Sequence, residues 1–189
     1  MSDLARAFPE LDRIEDVDLR AGVERAWTTA MADAGVDDLA AVPWFPPAQR
    51  DLDLPDERLV PHVRDVTAGA LALADALADR RWTVDRDVVL AGALVHDVSK
   101  LYEFERPHAS EREAADSAID GAVPTRIYEL LGHPHYGLHV VAAAGLPVEI
   151  QHVVLAHTDR TAVEPRTLEA EIVRRADEVA AAAIRSRAE

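Results

Sequence analysis

Apolar positions recur at helical spacing along most of the chain. Leu11, Ile14 and Val17 begin the pattern, and Val23, Ala26, Trp27, Ala30 and Met31 carry it on to Gly35, which is expected to end that segment. From Leu59 to Arg81 the positions Val63, Val66, Ala70, Leu73 and Leu77 keep one stripe, so a long helix is predicted with His62 near its start. Asp87 to Asp97 reads Asp-Val-Val-Leu-Ala-Gly-Ala-Leu-Val-His-Asp. A helix apolar on all sides belongs in the middle of a fold, so this segment is expected to be central and buried. Gly132-His133-Pro134 should open a helix that Gly145 closes, with proline in the first turn and glycine at the exit. Pro147 should start the next, through Ile150, Val153, Val154 and His157. Thr167 is placed to cap a last helix carrying Leu168, Ile172, Val173, Asp177 and Val179.

Two stretches break the pattern. Ala41 to Pro55 holds four prolines and the run Pro43-Trp44-Phe45-Pro46-Pro47. Proline lacks the amide donor and clashes with the preceding turn, so no regular helix is expected there. The favoured reading is a connector whose Trp44 and Phe45 pack on the core; the other is a lid or pocket wall. Residues 102–125 are polar, with Pro107 and Pro124, and read as an insertion. There is no repeat or low-complexity tract. The prediction is an all-α single domain over 1–189, a compact helical bundle whose core runs from about 59 to 180, preceded by a helical extension and Pro-rich connector over 1–58.

Composition narrows the chemistry. Of 189 residues, 49% are hydrophobic and only 5% aromatic, which favours close-packed helices over a sandwich. No apolar run approaches the ~20 residues of a membrane span, and no basic-then-apolar leader follows Met1, so a cytoplasmic protein without a membrane partner is expected. The net charge of −15 repels a phosphodiester polymer and argues against nucleic acid as partner. A small anionic substrate is still permitted, because a metal site makes its own positive field. Cysteine is absent, leaving imidazole and carboxylate as ligands. Nothing matches a GxSxG elbow, a GxxxxGK[ST] phosphate loop or an HExxH pair.

The pair His96-Asp97 ends the most apolar helix, where a buried carboxylate needs a counter-charge. A cation meets that need; so would an arginine, or a plain His–Asp hydrogen bond between helices. His62, His133, His157 and Asp177 each sit on a different predicted helix, at or near its apolar face. Helical bundles build metal sites from side chains converging in this way. Imidazole with carboxylate and no thiolate suits iron, manganese, nickel or zinc.

The order His62, His96-Asp97, Asp177 resembles the defining pattern of the HD-domain superfamily, and His133 and His157 between them resemble its two-metal branch. Val95-His96-Asp97-Val98-Ser99-Lys100 is similar to the HDxxK segment, and Gly132-His133-Pro134-His135-Tyr136-Gly137 to the GHxxxG helix start. Leu155-Ala156-His157-Thr158 and Arg175-Ala176-Asp177 look like the last ligand segments. The similarity runs from about Leu59 to Val179. It implies that His62, His96, Asp97 and Asp177 hold one divalent transition metal, iron or manganese first, and that His133 and His157 hold a second, with Asp97 bridging. Neighbouring helical residues point about 100° apart, so His96 and Asp97 can face two ions.

Lys100 is the one lysine among 20 basic residues, which suggests a position needing a compact ammonium. With Asp97 it is taken as catalytic, and it is expected to bind an anionic or oxygen-rich substrate group, with Thr158 and His135 as further substrate contacts. His139 is expected to be partly buried, His152 structural and His108 solvated. Arg64, Arg106, Arg126 and Arg160 are candidate anion clamps, none singled out. The resemblance implies metal-dependent hydrolysis of a small phosphate ester or nucleotide, with a metal-activated water as nucleophile. The same ligands also suit a mixed-valent di-iron oxygenase of the myo-inositol oxygenase type, cleaving a C–C or C–P bond, and less readily a non-catalytic sensing protein. A homo-oligomer is compatible with the sequence.

Overall fold

The computed structural model describes residues 3–54, 56–105 and 122–188. Arg106, Pro107 and His108 lie outside the described residues, as does most of the predicted insertion. Nine α-helices are seen among the described residues: α1 Asp3–Ala7, α2 Val17–Asp33, α3 Pro46–Leu52, α4 Leu59–Ala78, α5 Arg86–Val95, α6 Arg126–Leu130, α7 Gly132–Ala143, α8 Val148–Ala156 and α9 Leu168–Arg185. Tight 3-10 turns add Pro9–Arg13, Leu39–Ala41, Val98–Tyr102 and Ser186–Ala188. The fold is all-α. Among the described residues, extended pairing is limited to a two-residue antiparallel ribbon, β1 Phe104–Glu105 against β2 Val123–Pro124, and a single antiparallel bridge between Pro43 and Arg58. No described helix is long and apolar enough to cross a membrane.

Beyond its first turn, which holds Arg86 and Asp87, α5 is apolar and sits between two cores. Leu90, Ala91, Leu94 and Val95 join a cluster with Phe8, Trp27, Leu59, Val63, Val141 and Ile150. On its other side, Val89 and Ala93 pack with Val66 and Ala70 of α4, Val153 of α8 and Val173 of α9. A Cβ at Gly92 would lie 2.8 Å from Val153 Cγ1, so the missing side chain lets α8 approach α5. Asp85 caps α5 by accepting from Asp87 and Val88 N–H, and Thr167 caps α9 by accepting from Ala170 N–H.

The N-terminal segment belongs to the same core. Trp27 Nε1 donates to the Leu94 carbonyl at 2.9 Å, and Asp87 accepts the backbone N–H groups of Glu15 and Asp16 at 3.1 and 2.7 Å. Arg25 donates twice to the Ala144 carbonyl.

Several expectations need correction. Val17, Leu73 and Val179, read as apolar-stripe residues, are 62%, 43% and 70% exposed. The proline-rich connector does contain a helix: Pro46 and Pro47 occupy the first turn of α3, where a missing N–H costs nothing. Glu103, read as part of a polar insertion, is fully buried, and His139 is exposed rather than partly buried.

Candidate metal centre

Four helix ends and one helix middle meet at one point. His62 lies in the first turn of α4, where its ring centre is 5.5 Å from that of Trp44 with the two planes tilted at 49°. His96 closes α5, and at Asp97 (φ −109, ψ 11) the chain leaves the helix for the 3-10 turn Val98–Tyr102. His133 is the second residue of α7, after Gly132 at φ +70, a left-handed conformation that glycine adopts without strain. Ser99 Oγ donates to the His133 carbonyl at 2.6 Å and pins that turn. His157 closes α8, and Asp177 faces inward from α9.

Asp97 stands at the centre, with its two oxygens facing different partners. Oδ2 lies 3.4 Å from His62 Nε2, 3.3 Å from His96 Nε2 and 2.7 Å from Lys100 Nζ. Oδ1 lies 3.5 Å from His133 Nε2 and 3.6 Å from His157 Nε2. Asp177 Oδ1 is 3.1 Å from His62 Nε2 and 3.9 Å from His96 Nε2. All six residues named by the sequence pattern are therefore brought together, and five of them are buried, with Asp177 partly so.

The tautomers follow from backbone contacts. His96 Nδ1 lies 2.7 Å from the Ala93 carbonyl, and His157 Nδ1 2.7 Å from the Val154 carbonyl. A carbonyl only accepts, so both Nδ1 atoms carry a proton and both Nε2 atoms face the cluster, where the neutral imidazole offers a lone pair to a cation and the imidazolium a charge to Asp97 and Asp177. His133 Nε2 sits 3.2 Å from His157 Nε2.

Burial alone would push Asp97 up, but the Lys100 ammonium and the surrounding histidines outweigh it and hold the carboxyl well below the usual range. Burial likewise opposes the low value of Asp177, which His62 and His96 bring about. For His62, burial pulls down, and the Asp177 and Asp97 carboxylates more than reverse it, so its pKa is raised. Burial dominates at His133 and takes it to about 4, with Glu103 opposing.

These side chains fit a cation. His62 Nδ1 and Nε2, His96 Nε2 and Asp97 Oδ1 are buried without a hydrogen-bond partner. Leaving such atoms unpaired costs about 1–3 kcal/mol each, which a shared positive ion removes. Three overlapping sets bring their ligand atoms within 4.8 Å of one another: His62, His96 and Asp97; His96, His157 and Asp177; Asp97, His133 and His157. Bonds of about 2.0–2.2 Å place neighbouring donors roughly 3 Å apart, close to the shorter separations here. The cluster is able to hold a metal.

The remaining candidates divide. Lys100 joins the site through Asp97, its Nζ also lying 5.6 Å from the Trp44 ring and 6.0 Å from that of Phe45. Trp44 and Phe45 pack on the core as expected, Trp44 buried with Ala181 and Ile184 of α9 and Phe45 against them, and the same two rings also face Lys100. Thr158 is half-buried beside His157 and accepts weakly from Arg160 N–H at 3.4 Å. His135 is exposed and bonded to the Leu131 carbonyl, outside the cluster. His152 accepts from Arg166 N–H at 2.8 Å, a structural role. Arg64 and Arg126 pair with Glu10 and Glu129 on the surface, whereas Arg160 Nη1 reaches within 3.6 Å of Glu103.

Glu103 is the residue sequence reasoning missed. Its Oε1 accepts the His133 backbone N–H at 2.9 Å and lies 3.4 Å from His133 Nδ1. The available signal was its place three residues after Lys100, one tight turn beyond the ligands.

The family description "HD domain" matches residues 60–182. A dihydroneopterin 2',3'-cyclic phosphate phosphodiesterase of Methanocaldococcus jannaschii is 32% identical over 124 residues, which cover 64% of this chain and 45% of that protein. The chain thus spans less than half the length of this relative. No solved structure matches at a significant level. With more than half of the chain matched and the His/Asp cluster seated between its helices, the chain belongs to the HD-domain family.

Proposed function

We propose that the chain is a metal-dependent phosphohydrolase of small phosphate esters, with a cyclic phosphodiester as the first substrate to test. The observation that carries this reading is Asp97, whose two oxygens face two separate histidine pairs. His62, His96, Asp97 and Asp177 would hold one divalent ion, and His133 and His157, with Asp97, a second; iron or manganese suits these donors. Bound ions would supply Lewis-acid charge for the phosphoryl group and a water of lowered pKa. The relative's phosphodiesterase activity supports the choice of reaction.

The chain's own residues orient the ester. Lys100 spends one of its three donors on Asp97 Oδ2, and the others can take anionic phosphoryl oxygens. Trp44, tilted against His62 and buried with it, covers that side of the site. In the net reaction water adds at phosphorus, one P–O ester bond breaks, and the departing oxygen takes a proton.

The test is hydrolysis of a 2',3'-cyclic nucleotide by manganese-loaded protein under strictly anaerobic conditions, followed by phosphorus NMR. The expected product is a ring-opened monoester, abolished by chelation. Silence toward phosphate esters, with substrate-dependent oxygen consumption by an Fe(II)/Fe(III) form, would overturn the reading in favour of an oxygenase. Metal binding without turnover of any kind would leave a sensing role.

A further inference from the structure

Aromatic residues are scarce, three each of Phe, Trp and Tyr, yet four of these nine gather beside the His/Asp cluster. Trp44 lies tilted against His62, their ring centres 5.5 Å apart. Beyond it the Phe45 ring centre lies 6.1 Å from Phe104 and 6.3 Å from Tyr128, and Phe104 lies 4.9 Å from Tyr128. All three rings are half-buried, and Phe104 and Tyr128 join no buried apolar cluster among the described residues. A phenylalanine serving only as packing is normally taken further out of water than Phe45 and Phe104 are.

Each ring is tied in sequence to the site. Phe45 follows Trp44, Phe104 follows Glu103, and Tyr128 lies on α6, which leads directly into Gly132-His133. Two cations flank the trio. Lys100 Nζ is 6.0 Å from the Phe45 centre and 2.7 Å from Asp97. The Arg160 guanidinium lies 4.8 Å from the centre of Phe45 and 5.6 Å from that of Tyr128, and reaches within 3.6 Å of Glu103. A guanidinium is a flat group on a π-face, and a planar heterocycle can make the same contact. Its arrival would free Arg160 for an anionic group.

We propose that Phe45, Phe104, Tyr128 and Arg160 form a specificity site for a planar heterocycle, of purine or pterin size, carried by the phosphate ester. This rests on the phosphohydrolase reading for its catalytic consequence. The three ring centres span more than a single six-membered ring covers, which favours a two-ring heterocycle. The arrangement would hold the ring beside Arg160 and leave the ester on the Lys100 side.

The experiment compares guanosine 2',3'-cyclic phosphate with ribose 2,3-cyclic phosphate, the same ester without the base, on metal-loaded protein. Stacking on an aromatic side chain predicts an advantage of about 5- to 150-fold for the guanosine ester. Tyr128→Ala should reduce the ratio of the two kcat/KM values by about tenfold, mainly through the guanosine KM, while Tyr128→Phe retains it. An unchanged ratio in Tyr128→Ala would overturn the proposal. Should neither ester be hydrolysed, the phosphohydrolase reading fails, and calorimetric binding decides this inference independently: tighter binding of the guanosine ester supports it, equal binding refutes it. Should the Ala variant not fold, that same wild-type comparison decides.

Discussion

Replacing Glu103 with Gln probes how far the ligand set depends on a side chain behind it. Glu103 is fully buried; Oε1 accepts the His133 N–H at 2.9 Å, and Oε2 has no partner. Glutamine keeps the shape and one acceptor. Its amide nitrogen must take either the Oε2 position, where no acceptor is found, or the Oε1 position, where it meets another N–H. Either choice leaves a buried group unpaired, at a cost of about 1–3 kcal/mol. The lost charge also removes the carboxylate that opposes the effect of burial on the His133 ring, so its Nε2 becomes a poorer donor. Removing a carboxylate behind a ligating imidazole typically costs about 10–100-fold in metal affinity, or about 1.4–2.7 kcal/mol. Calorimetric titration of the metal-free Glu103→Gln protein should show that loss in the weaker binding step. Melting of the metal-free form should fall by roughly 2–4 °C per kcal/mol lost. Wild-type affinity and wild-type melting together would refute the reasoning.

Three other outcomes are expected. His96→Ala or Asp177→Ala should lose the first metal, and His133→Ala or His157→Ala only the second, as read by elemental analysis; unchanged content in all four would sink the ligand assignment. Lys100→Ala should cut turnover on the order of 10–100-fold with metal content kept, because a charge-assisted contact to substrate is lost. Lys100→Arg should rescue poorly, since the wider, planar guanidinium presents its charge in a fixed fork rather than as the compact ammonium that now meets Asp97 Oδ2 at 2.7 Å; full activity in Lys100→Arg would make the residue a generic cation. In the metal-free chain, His133 has a folded pKa of about 4 against an ordinary value of 6.5, so between those pH values the unfolded state binds more protons. Stability should therefore fall as pH drops from 6.5 toward 4, by up to about 3 kcal/mol, and further as Asp97 and Asp177 are protonated. His62, raised instead, contributes stability that is lost as pH climbs above its ordinary value. Urea unfolding across this range checks the sign, and a flat or inverted profile would contradict it.

The sequence was most informative where one physical demand had one solution. A helix as apolar as α5 after its first turn can only lie between two cores, and the six ligating residue types stand in an order that separate helices bring together. Periodicity misled at Val17, Leu73 and Val179 because an apolar stripe does not say where the helix facing it stops. Pro46 and Pro47 read as helix breakers, yet in the first turn they start one. Glu103 was hidden because a carboxylate in a polar run looks solvated, and its partner His133 is 30 positions away. That Trp44 and Phe45 pack on the core was legible, and their place beside Lys100 only as an alternative, since an aromatic pair in a connector packs somewhere in either case.

The indole of Trp27 holding the Leu94 carbonyl has a consequence for what counts as a module here. A helix leaves its last carbonyls without internal partners, and α5 has one of them satisfied from a residue well before the matched 60–182 stretch. Phe8, Trp27 and Trp44 are likewise outside that stretch, and all three are buried. A recombinant fragment beginning at residue 60 would keep every ligand yet expose the inner face of α5 and uncover His62. The stretch matched by the family and the stretch that builds the core are therefore different lengths of chain. Transplanting the recurring part by itself should yield an aggregation-prone polypeptide rather than a smaller enzyme.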